Sequence, residues 1–572
     1  MKPRLETLVV LVKPDDSIAT TVRRMATEDV AFFGLAVVLD DTSKVLGIVN
    51  NGDVIRLLAA GTDFAQPVKS VMIKDPIAVR SRLASDEMLA DAYRQIRAKP
   101  RLKTEGVSHI LTTDEQGHLT GVINFADLVA RHGRQSERVA VYGLGFIGTT
   151  LAATLANRGY LVAGLDVDVA IVQRLQQGEV HIHEPGLADL VKASLDRGTL
   201  RFASNAGDAH HRVSIVAVGT PVNDEGQADL SALEAVTRTI GGRIKRGDLV
   251  MLRSTVPVGT TRNLVAPMLE RLSGLVAGED FHLAFTPERT VEGKAMRELR
   301  ELPQIVGGLT AGCTQRAAAF WGPVTNSVVQ VDSLEAAELV KLANNSFRDL
   351  SFAFSNGLAM LADRYNIDAF RLILAANEGY PRNPIPLPSP GVGGYCLTKD
   401  PFLYAAVAPE SVHAGLARAG REANRSAARY PVEALVRYAA RHDRSVVGMR
   451  VLVMGLAFKG MPETNDLRGS TAIDVVRALQ SKGVLVCGWD AIVPATDLER
   501  IGIEPVDPID AVVGVDALFI MNNHPKNVPA GLIARARTPM FVFDGWSLLD
   551  ARDVEQHAEM TYATMGYMTP AT

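Results

Sequence analysis

Residues 139–148 read VAVYGLGFIG, and this stretch decides the fold of the region around it. Its first four residues are apolar, as in a short buried strand, and an Ala/Leu-rich helical pattern follows the glycines as far as Gly159. A second strand pattern, 161–165, ends at Asp166, which lies 23 residues after Gly143. A strand, a GxGxxG turn, a helix and a downstream acid in this order form the dinucleotide-binding fingerprint of a doubly wound sheet.

The glycine turn has a physical reason at each position. Gly143 makes the tight turn, Gly145 lets a pyrophosphate approach the backbone, and Gly148 lets the helix pack closely on the strand. Phe146 and Ile147 complete the loop at the helix start, where the first N–H groups point at the ligand. We therefore predict that residues 143–148 bind the cofactor.

The acid at Asp166 favours NAD over NADP, because a carboxylate bonds the ribose hydroxyls and repels a 2′-phosphate. Two later strand ends lie where such a sheet places further ligand contacts, namely Thr220-Pro221 and the segment 253–260 with Thr255. The alternative, a Rossmann-like domain without a nucleotide, does not account for the acid at this spacing.

The composition limits the functional class. A chain of 572 residues is too long for one core, and about one domain per 150 residues predicts three or four domains. The formal charge of -4 argues against nucleic acid as a partner. Three cysteines without CxxC spacing indicate no disulfide framework and no metal site, which fits a reducing cytoplasm, and no apolar run approaches a membrane span.

The first 134 residues contain two similar segments, one within 36–53 and one within 109–127, whose matching positions are offset by 74. Each copy predicts a strand, a polar turn, a strand and a helix that opens near Asp53 or Asp127. The repeat resembles a tandem cystathionine-beta-synthase (CBS) pair, which implies an adenine nucleotide bound near these acids and regulation of the attached domain. Asn50 and Asn124 stand where that family often has Ser or Thr, so a structural or dimerising role is the alternative. The polar residues 131–138 are typical of a linker.

Three pairs of chemically useful side chains lie four residues apart. They are Glu288 and Glu292, then Lys341 and Asn345 within a helix predicted over 333–367, then Cys396 and Asp400 in the segment GVGGYCLTKDP. Each pair alone has an ordinary interpretation: a solvated helix face, a lysine with its charge at the surface, and a small buried thiol. Together they suggest covalent chemistry at Cys396.

Residues 138–572, with these motifs in order, resemble the UDP-glucose/GDP-mannose dehydrogenase family. The resemblance implies oxidation of the C6 alcohol of a nucleotide sugar to a carboxylate with two NAD, for surface polysaccharide biosynthesis. It assigns Cys396 as the nucleophile, Lys341 and Asn345 as oxyanion stabilisers and Asp400 as an acid that helps to activate water. It also implies that Thr255 orders this water and that Glu288, the first of the paired glutamates Glu288 and Glu292, is the acid/base group.

The resemblance also assigns substrate contacts. It implies a phosphate contact at Lys459, a contact near the cofactor at Arg468, a backbone contact at Gly393, and Arg382 lent across a dimer. Glu288, Glu292, Lys341 and Asn345 are expected at the substrate as well. Trp546 stands where many UDP-glucose enzymes have Arg, and residues 297–308 are closer to the UDP-N-acetylhexosamine branch.

We therefore expect UDP-N-acetylmannosamine or UDP-N-acetylglucosamine as substrate, with UDP-glucose as the alternative. A two-electron hydroxyacid-type dehydrogenase, which needs no cysteine, and an inactive nucleotide-sensing protein remain further alternatives. The predicted fold is α/β: two Rossmann-like doubly wound domains joined by a long central helix, preceded by an α+β CBS pair. The predicted boundaries are 1–134, 138–330, 331–430 and 431–572, in a cytoplasmic homodimer or higher homo-oligomer without membrane attachment.

Overall fold

The computed structural model describes residues 5–28, 30, 34–83, 85–99, 109–125, 137–205, 207, 209–223, 226–557 and 559–570. The chain divides into two compact units, residues 1–137 with 158–161, and residues 138–157 with 162–572. The strands are β1 Val10–Val12, β2 Leu35–Leu39, β3 Val45–Asn50, β4 Ile73–Lys74, β5 Ala78–Arg80, β6 His109–Thr113, β7 Leu119–Asn124, β8 Arg138–Tyr142, β9 Leu161–Leu165, β10 Leu200–Ala203, β11 Val213–Val216, β12 Leu249–Leu252, β13 His282–Phe285, β14 Gln304–Gly308, β15 Val328–Val331, β16 Arg450–Met454, β17 Leu485–Trp489, β18 Glu504–Pro505, β19 Ala517–Ile520, β20 Met540–Asp544, β21 Met560–Thr564 and β22 Tyr567–Met568.

The described α-helices are Leu5–Leu8, Ile18–Thr27, Asn51–Ala59, Ser85–Ala98, Phe146–Asn157, Val169–Gln176, Leu187–Asp196, Ser231–Gly241, Ala266–Ser273, Ala295–Glu301, Ala311–Trp321, Leu334–Asp363, Ala369–Asn377, Tyr395–Ala405, Val412–Arg441, Thr471–Ser481, Ala495–Arg500, Pro508–Ala511, Leu532–Arg535 and Ala551–Glu555. Among these, none has both the length and the apolar character needed to cross a membrane.

The first unit contains two small sheets, with strand orders β1-β2-β3-β4 and β5-β6-β7. The hairpins β2/β3 and β6/β7 are antiparallel, have equal strand lengths and start 74 residues apart, at Leu35 and His109. Both have the same register shift, between Val38 and Leu39 and between Thr112 and Thr113. The predicted duplication is therefore confirmed at the level of the hairpin.

Asp53 lies at the start of the helix that follows the first hairpin. Its carboxylate accepts from the Asn50 backbone at 2.9 Å and pairs with Arg56, while the Asn50 side chain accepts from the Asp53 backbone at 3.0 Å. This is a capping box, which satisfies two N–H groups at the helix start. Asp127 and the predicted linker up to residue 136 lie outside the described residues.

The second unit begins with an eight-stranded sheet in the order β10-β9-β8-β11-β12-β13-β14-β15, parallel except between β13 and β14. The chain winds outward from β8 through β9 to β10, then returns to β11 on the other side. The crevice at the carboxyl ends of β8 and β11 is thus the topological switch point, where doubly wound sheets bind ligands. This confirms the predicted first Rossmann-like domain.

A second doubly wound sheet follows near the C-terminus. Its order is β18-β17-β16-β19-β20-β21-β22, parallel up to β21, with a switch point between β16 and β19. The prediction of a second Rossmann-like domain is therefore confirmed.

Two helices of 30 residues each stand between the sheets. The first long helix, Leu334–Asp363, is N-capped by Ser333, as the pattern over 333–367 predicted. The second long helix, Val412–Arg441, contains Pro431 and runs through the predicted boundary at 430/431. A proline commonly ends or kinks a helix, but here the helix continues and the C-terminal sheet begins only with β16.

Buried polar contacts join the two long helices. Asp349 accepts from Arg421 at 2.6 Å and from the Asn424 side chain at 2.8 Å, and the Asn356 amide donates to Asn424 at 2.9 Å. All four side chains are buried, so removing one partner would leave a buried polar group unpaired. The network fixes the first long helix, which carries Lys341 and Asn345, against the second.

Candidate active site

The glycine loop after β8 has the geometry that the fingerprint predicted. Gly143 has a φ of 93°, in the region that favours glycine, and a Cβ on Gly148 would lie 1.7 Å from the Gly143 carbonyl oxygen. A Cβ on Gly145 would meet nothing within 4 Å, so its surface is open. Gly143 and Gly148 therefore build the turn and its packing, and Gly145 leaves room for a pyrophosphate.

Asp166 lies directly after β9, beside this loop. Its carboxylate accepts from the Leu144 backbone at 2.6 Å and from the Asp168 backbone at 2.9 Å. Because an ionised carboxylate has about four acceptor positions, these two bonds orient Asp166 and leave lone pairs for a ribose diol. The residues present fit NAD: the open backbone at Gly145 would take its pyrophosphate, and the oriented Asp166 carboxylate would accept from its ribose hydroxyls.

A groove of about 370 Å³ adjoins the glycine loop. Gly145 and Phe146 line one side, and Arg468 with Glu292 line the other, while Ile147 is half-buried in the first helical turn. Sequence reasoning missed His181, which also lines this groove and whose pKa is lowered by burial. An isolated histidine in a loop gives no pattern that would have revealed it.

The strand ends after β11 and β12 are connected to each other. The Thr220 hydroxyl donates to the Thr255 carbonyl oxygen, and the Lys399 ammonium lies 3.5 Å from the Thr220 hydroxyl oxygen. Thr220 is buried and Pro221 is exposed. Thr255 itself is half-buried and is not among the described residues that line the two cavities at this site.

A second cavity, which we call the catalytic cleft, has a volume of about 430 Å³. Predicted site residues from four distant segments line it: Glu292, Lys341, Asn345, Gly393, Cys396 and Lys459. The described lining also includes Arg289 and Arg348, which sequence reasoning missed. Four cationic side chains in one cleft suit a ligand with a diphosphate.

Cys396 lies in the first turn of the helix Tyr395–Ala405, which starts after Gly394 with a φ of 90°. It is exposed, whereas Cys313 and Cys487 are buried. Although the side chain reaches the surface of the cleft, desolvation by the surrounding protein raises the pKa of the Cys396 thiol, and the Lys341 ammonium lowers that pKa in part. The helix N-terminus adds a further contribution that favours the thiolate.

Asp400 and Asn345 form a direct bond beneath the cleft. The Asn345 amide donates to the Asp400 carboxylate at 2.6 Å, and the Lys399 ammonium lies 3.0 Å from its other oxygen. Asp400, Lys399 and Lys341 are all buried. The sequence had suggested no role for Lys399, although this lysine lies next to Asp400 in the segment GVGGYCLTKDP.

Glu288 is buried and is not among the described residues that line the cofactor groove or the catalytic cleft. Its carboxylate is 4% exposed and forms an ion pair with the Arg253 guanidinium, whose Nε lies 3.1 Å away. It also accepts from the Thr290 backbone at 2.6 Å. Although burial acts to raise it, the pKa of Glu288 is lowered overall by Arg253. These contacts favour a role for Glu288 as an ion-pair partner that shapes the turn 288–292, and its expected acid/base role stays a prediction.

Glu292 lines both the cofactor groove and the catalytic cleft. Its carboxylate accepts from the Thr464 hydroxyl at 3.0 Å, and its backbone carbonyl accepts from the Lys459 ammonium at 2.7 Å. Burial raises the pKa of Glu292, and the nearby Asp466 carboxylate raises it further. Of the two glutamates, Glu292 is thus the one that lines both cavities.

The remaining predicted contacts differ in their placement. Arg468 makes a bidentate pair with Asp466 and lies over the Tyr395 ring, 5.4 Å from its centroid. Arg382 is exposed, lies over the Tyr380 ring at 5.4 Å and is not among the described residues that line the cleft. Its contribution across a dimer stays a prediction.

Comparison with protein families gives three matches in order over the second unit. They are the NAD binding domain of the UDP-glucose/GDP-mannose dehydrogenase family at 137–325, its central domain at 335–426 and its UDP binding domain at 452–551. A CBS domain matches residues 7–60, which is the first repeat.

Individual proteins agree with these matches. An NDP-N-acetyl-D-galactosaminuronic acid dehydrogenase of Ralstonia solanacearum is 36% identical, over 68% of this chain and 91% of that protein. A UDP-N-acetyl-D-mannosamine dehydrogenase of Pyrococcus horikoshii is 34% identical, over 72% of this chain and 96% of that protein.

Solved structures give the same result. The UDP-D-ManNAc dehydrogenase of Pyrococcus horikoshii superposes with a TM-score of 0.68 and 31% identity, over 75% of this chain and 99% of that chain. A UDP-glucose dehydrogenase of Pyrobaculum islandicum superposes with a TM-score of 0.65 and 30% identity, over 75% of this chain and 98% of that chain. The chain therefore belongs to the UDP-glucose/GDP-mannose dehydrogenase family, as an NAD-dependent oxidoreductase with a CBS domain at its N-terminal end.

Proposed function

We propose that the protein oxidises the C6 alcohol of a UDP-N-acetylhexosamine to the uronate in two NAD-dependent steps, with Cys396 holding the intermediate. The observation that carries the proposal is the catalytic cleft, where an exposed thiol, a buried lysine and a carboxylate that adjoins the cofactor groove lie together. A two-electron dehydrogenase would need no thiol at this place, and an inactive sensor would need none of the three.

The chemistry requires a covalent anchor. NAD supplies the oxidant, and each of the two steps transfers one hydride from C6. The first oxidation yields an aldehyde, which the Cys396 thiolate attacks to form a thiohemiacetal. The second oxidation yields a thioester, and water then releases the carboxylate and returns the thiol. The anchor keeps the aldehyde in the cleft between the two hydride transfers.

Lys341 and Asn345 act on the oxygen of the reacting carbon. The Lys341 ammonium lines the cleft beside Cys396 and stabilises an alkoxide or a tetrahedral oxyanion there. Asn345 is held by its bond to Asp400, so its amide is oriented before a ligand arrives. Because Lys341 is buried and Asn345 is half-buried, both act where the dielectric constant is lower than in water and each bond contributes more.

Water handling is assigned to Glu292, Thr255 and Asp400. The raised pKa of Glu292 brings its proton affinity closer to neutral pH, which suits a group that takes a proton from water and returns it to the thiolate. Glu288 supports this group indirectly, because its bonds to Arg253 and Thr290 fix the turn that presents Glu292. Arg253, Glu288 and Thr290 are thus positioning residues.

The substrate assignment rests on the branch of the family that resembles this chain. Relatives at 34–36% identity are named for N-acetylated sugars. The cations Arg289, Arg348 and Lys459 suit the diphosphate of a UDP-sugar. UDP-glucose is the second candidate, because the Pyrobaculum islandicum enzyme named for that sugar superposes almost equally well.

The first long helix suits a homodimer. Phe347, Phe354 and Leu361 follow one another at intervals of seven residues and are 74%, 63% and 60% exposed. Large apolar side chains in a row on one helix face are typical of a protein interface. A dimer through this face agrees with the expectation that Arg382 serves the neighbouring subunit.

The N-terminal unit is assigned a regulatory role. CBS domains bind nucleotides, and the duplicated hairpins supply the two halves of such a module. In the first half the Asp53 carboxylate is already engaged by Asn50 and Arg56, so a ribose would have to share or replace the bond to the exposed Arg56. An adenine nucleotide is the expected ligand.

A substrate panel tests the proposal. The full chain is incubated with limiting UDP-N-acetylmannosamine, UDP-N-acetylglucosamine or UDP-glucose and excess NAD, and the NADH formed per sugar is measured. Two NADH per sugar, with an N-acetylated sugar preferred in kcat/KM, is the expected result. One NADH per sugar with release of an aldehyde would exclude the four-electron reaction, and a preference for UDP-glucose would replace only the substrate.

A further inference from the structure

A third cavity lies on the other side of the segment that carries Cys396. It has a volume of about 460 Å³ and is bounded by the second long helix and the helix Thr471–Ser481. Val392 and Thr398 belong to its lining, whereas Gly393 to Leu397 line the catalytic cleft. The two cavities therefore share one wall, which consists of the residues around the catalytic thiol.

Three arginines from one face of the second long helix line this cavity, Arg421, Arg425 and Arg429. They stand four residues apart, so their side chains lie one above another. Neither Arg425 nor Arg429 forms a salt bridge with any described residue. Arg421 pairs with Asp349 but is 4% exposed, and its Nε has no hydrogen-bond partner within the described structure.

The opposite wall does not balance this charge. Asp474 is the one carboxylate among the described lining residues, and burial raises the pKa of its carboxyl, which Arg477 and Arg425 oppose. Neighbouring guanidinium groups repel one another, and a bound anion relieves this repulsion. Positive charge in a partly enclosed space therefore attracts an anion.

The helix Thr471–Ser481 begins at this cavity. It has eleven residues, and Ser470 at its N-cap makes no side-chain cap, because its hydroxyl donates to the Leu456 carbonyl oxygen instead. Gly469 and Thr471 line the cavity next to this helix start. An uncapped N-terminus presents N–H groups and a partial positive charge, and so adds to the attraction from the arginines.

We propose that this cavity binds the phosphoryl group of a small phosphorylated metabolite. Guanidinium groups match the oxygens of a phosphate in pairs, and a helix start binds the same group through its backbone. The volume exceeds that of inorganic phosphate, which leaves room for a small organic part. The site is separate from the cofactor groove and from the catalytic cleft, since Gly145 and Cys396 line only those two cavities.

An occupant would act on the catalytic segment through direct packing. A Cβ on Gly391 would lie 2.9 Å from the Ala428 side chain and 3.0 Å from that of Thr471, so the segment fits closely between both walls of the cavity. A ligand that draws these walls together changes the position of residues 392–398. The reactivity of the Cys396 thiol is therefore the local readout of binding.

Binding is tested by calorimetry on the full chain with NAD and UDP at saturating concentrations, so that other phosphate-binding places are filled. Inorganic phosphate and glucose 6-phosphate are the two titrants, which separate free phosphate from a phosphorylated metabolite. The variant Arg425→Ala/Arg429→Ala is compared with Arg418→Ala/Arg441→Ala, which removes the same charge from exposed positions on the same helix.

We expect the Arg425→Ala/Arg429→Ala variant to bind about tenfold more weakly or worse, and the control to bind like the wild type. Tighter binding of glucose 6-phosphate than of inorganic phosphate identifies a metabolite site. Absence of binding to the wild type at millimolar concentrations, or equal weakening in both variants, overturns the proposal.

The coupling is tested by alkylation of Cys396 with iodoacetamide, without substrate or turnover. The better titrant is expected to change the rate about twofold or more in the wild type and the control, and not in the Arg425→Ala/Arg429→Ala variant. An unchanged rate in a wild type that binds the titrant refutes the coupling. Because no step of the sugar oxidation is measured, failure here is distinct from failure of the proposed function.

Discussion

The substitution Glu288→Gln separates a structural role from a catalytic role at the first of the paired glutamates. In the folded protein, the Arg253 side chain is 2% exposed and lies 4.7 Å from the Trp321 ring centroid. It donates a hydrogen bond to the Gln304 side chain at 2.9 Å and forms an ion pair with the Glu288 carboxylate. Glutamine keeps the shape of Glu288 but leaves this buried guanidinium without a carboxylate.

The cost follows from the burial of the pair. Breaking a buried ion pair by removing one partner costs about 3–5 kcal/mol. For a domain of the size of the NAD-binding domain, each kcal/mol lowers Tm by about 2–4 °C, so the transition of this domain should fall by about 6–20 °C. The double variant Arg253→Met/Glu288→Gln removes both charges and should recover most of this loss.

Differential scanning calorimetry of the full chain measures these shifts, and turnover is measured below the lowered transition. Glu301→Gln is the matched control, since Glu301 pairs with Arg297 on an exposed helix face and contributes less than about 1 kcal/mol. We expect Glu288→Gln to melt early and still release the uronate. A variant that melts like the wild type but stops at the Cys396 thioester would show that Glu288 is the acid/base group after all.

Three further predictions concern other parts of the protein. Because the pKa of Glu292 is raised above its ordinary value of 4.5, Glu292 loses its base form at a higher pH than a free glutamate does. The rate of thioester hydrolysis should therefore decline as the pH falls through that raised pKa. This decline at acid pH should be absent in Glu292→Gln. Phe354→Glu should dissociate the proposed dimer in sedimentation experiments, whereas Arg364→Glu, a charge change beyond the exposed apolar row, should not. Deletion of residues 1–137 should abolish any change of activity caused by adenine nucleotides and leave NADH formation intact; an unchanged response to nucleotide in the deleted protein would contradict the regulatory role.

The cofactor-binding residues could be predicted from the sequence because their motif is local. The turn at Gly143, the open Gly145 and the acid at Asp166 lie within one strand, helix and strand, where spacing and geometry determine each other. The first long helix was predicted for a similar reason, since Ser333 and an unbroken helical pattern mark it in the sequence. The second long helix lacked such a pattern, because Pro431 interrupts a stretch that is only weakly amphipathic.

The catalytic half depends on contacts between distant segments. Asn345 and Asp400 are 55 residues apart and Arg253 and Glu288 are 35 apart, so periodicity cannot show that they touch. Resemblance to a family brought Cys396, Lys341 and Asn345 together, but it placed the acid/base role at Glu288. The burial of Arg253 beside Glu288 follows from the packing around β12 and could not be read from the sequence.

We propose that Cys396 carries the sugar between the two oxidations and that Glu292 is needed to release it. Mass spectrometry of the Glu292→Gln variant, quenched in acid after incubation with NAD and UDP-N-acetylmannosamine or UDP-N-acetylglucosamine, measures this directly. We expect a Cys396 peptide that carries the nucleotide-sugar acyl group, with two NADH formed for each modified chain. An unmodified Cys396 in a variant that still releases the uronate at the wild-type rate would contradict it.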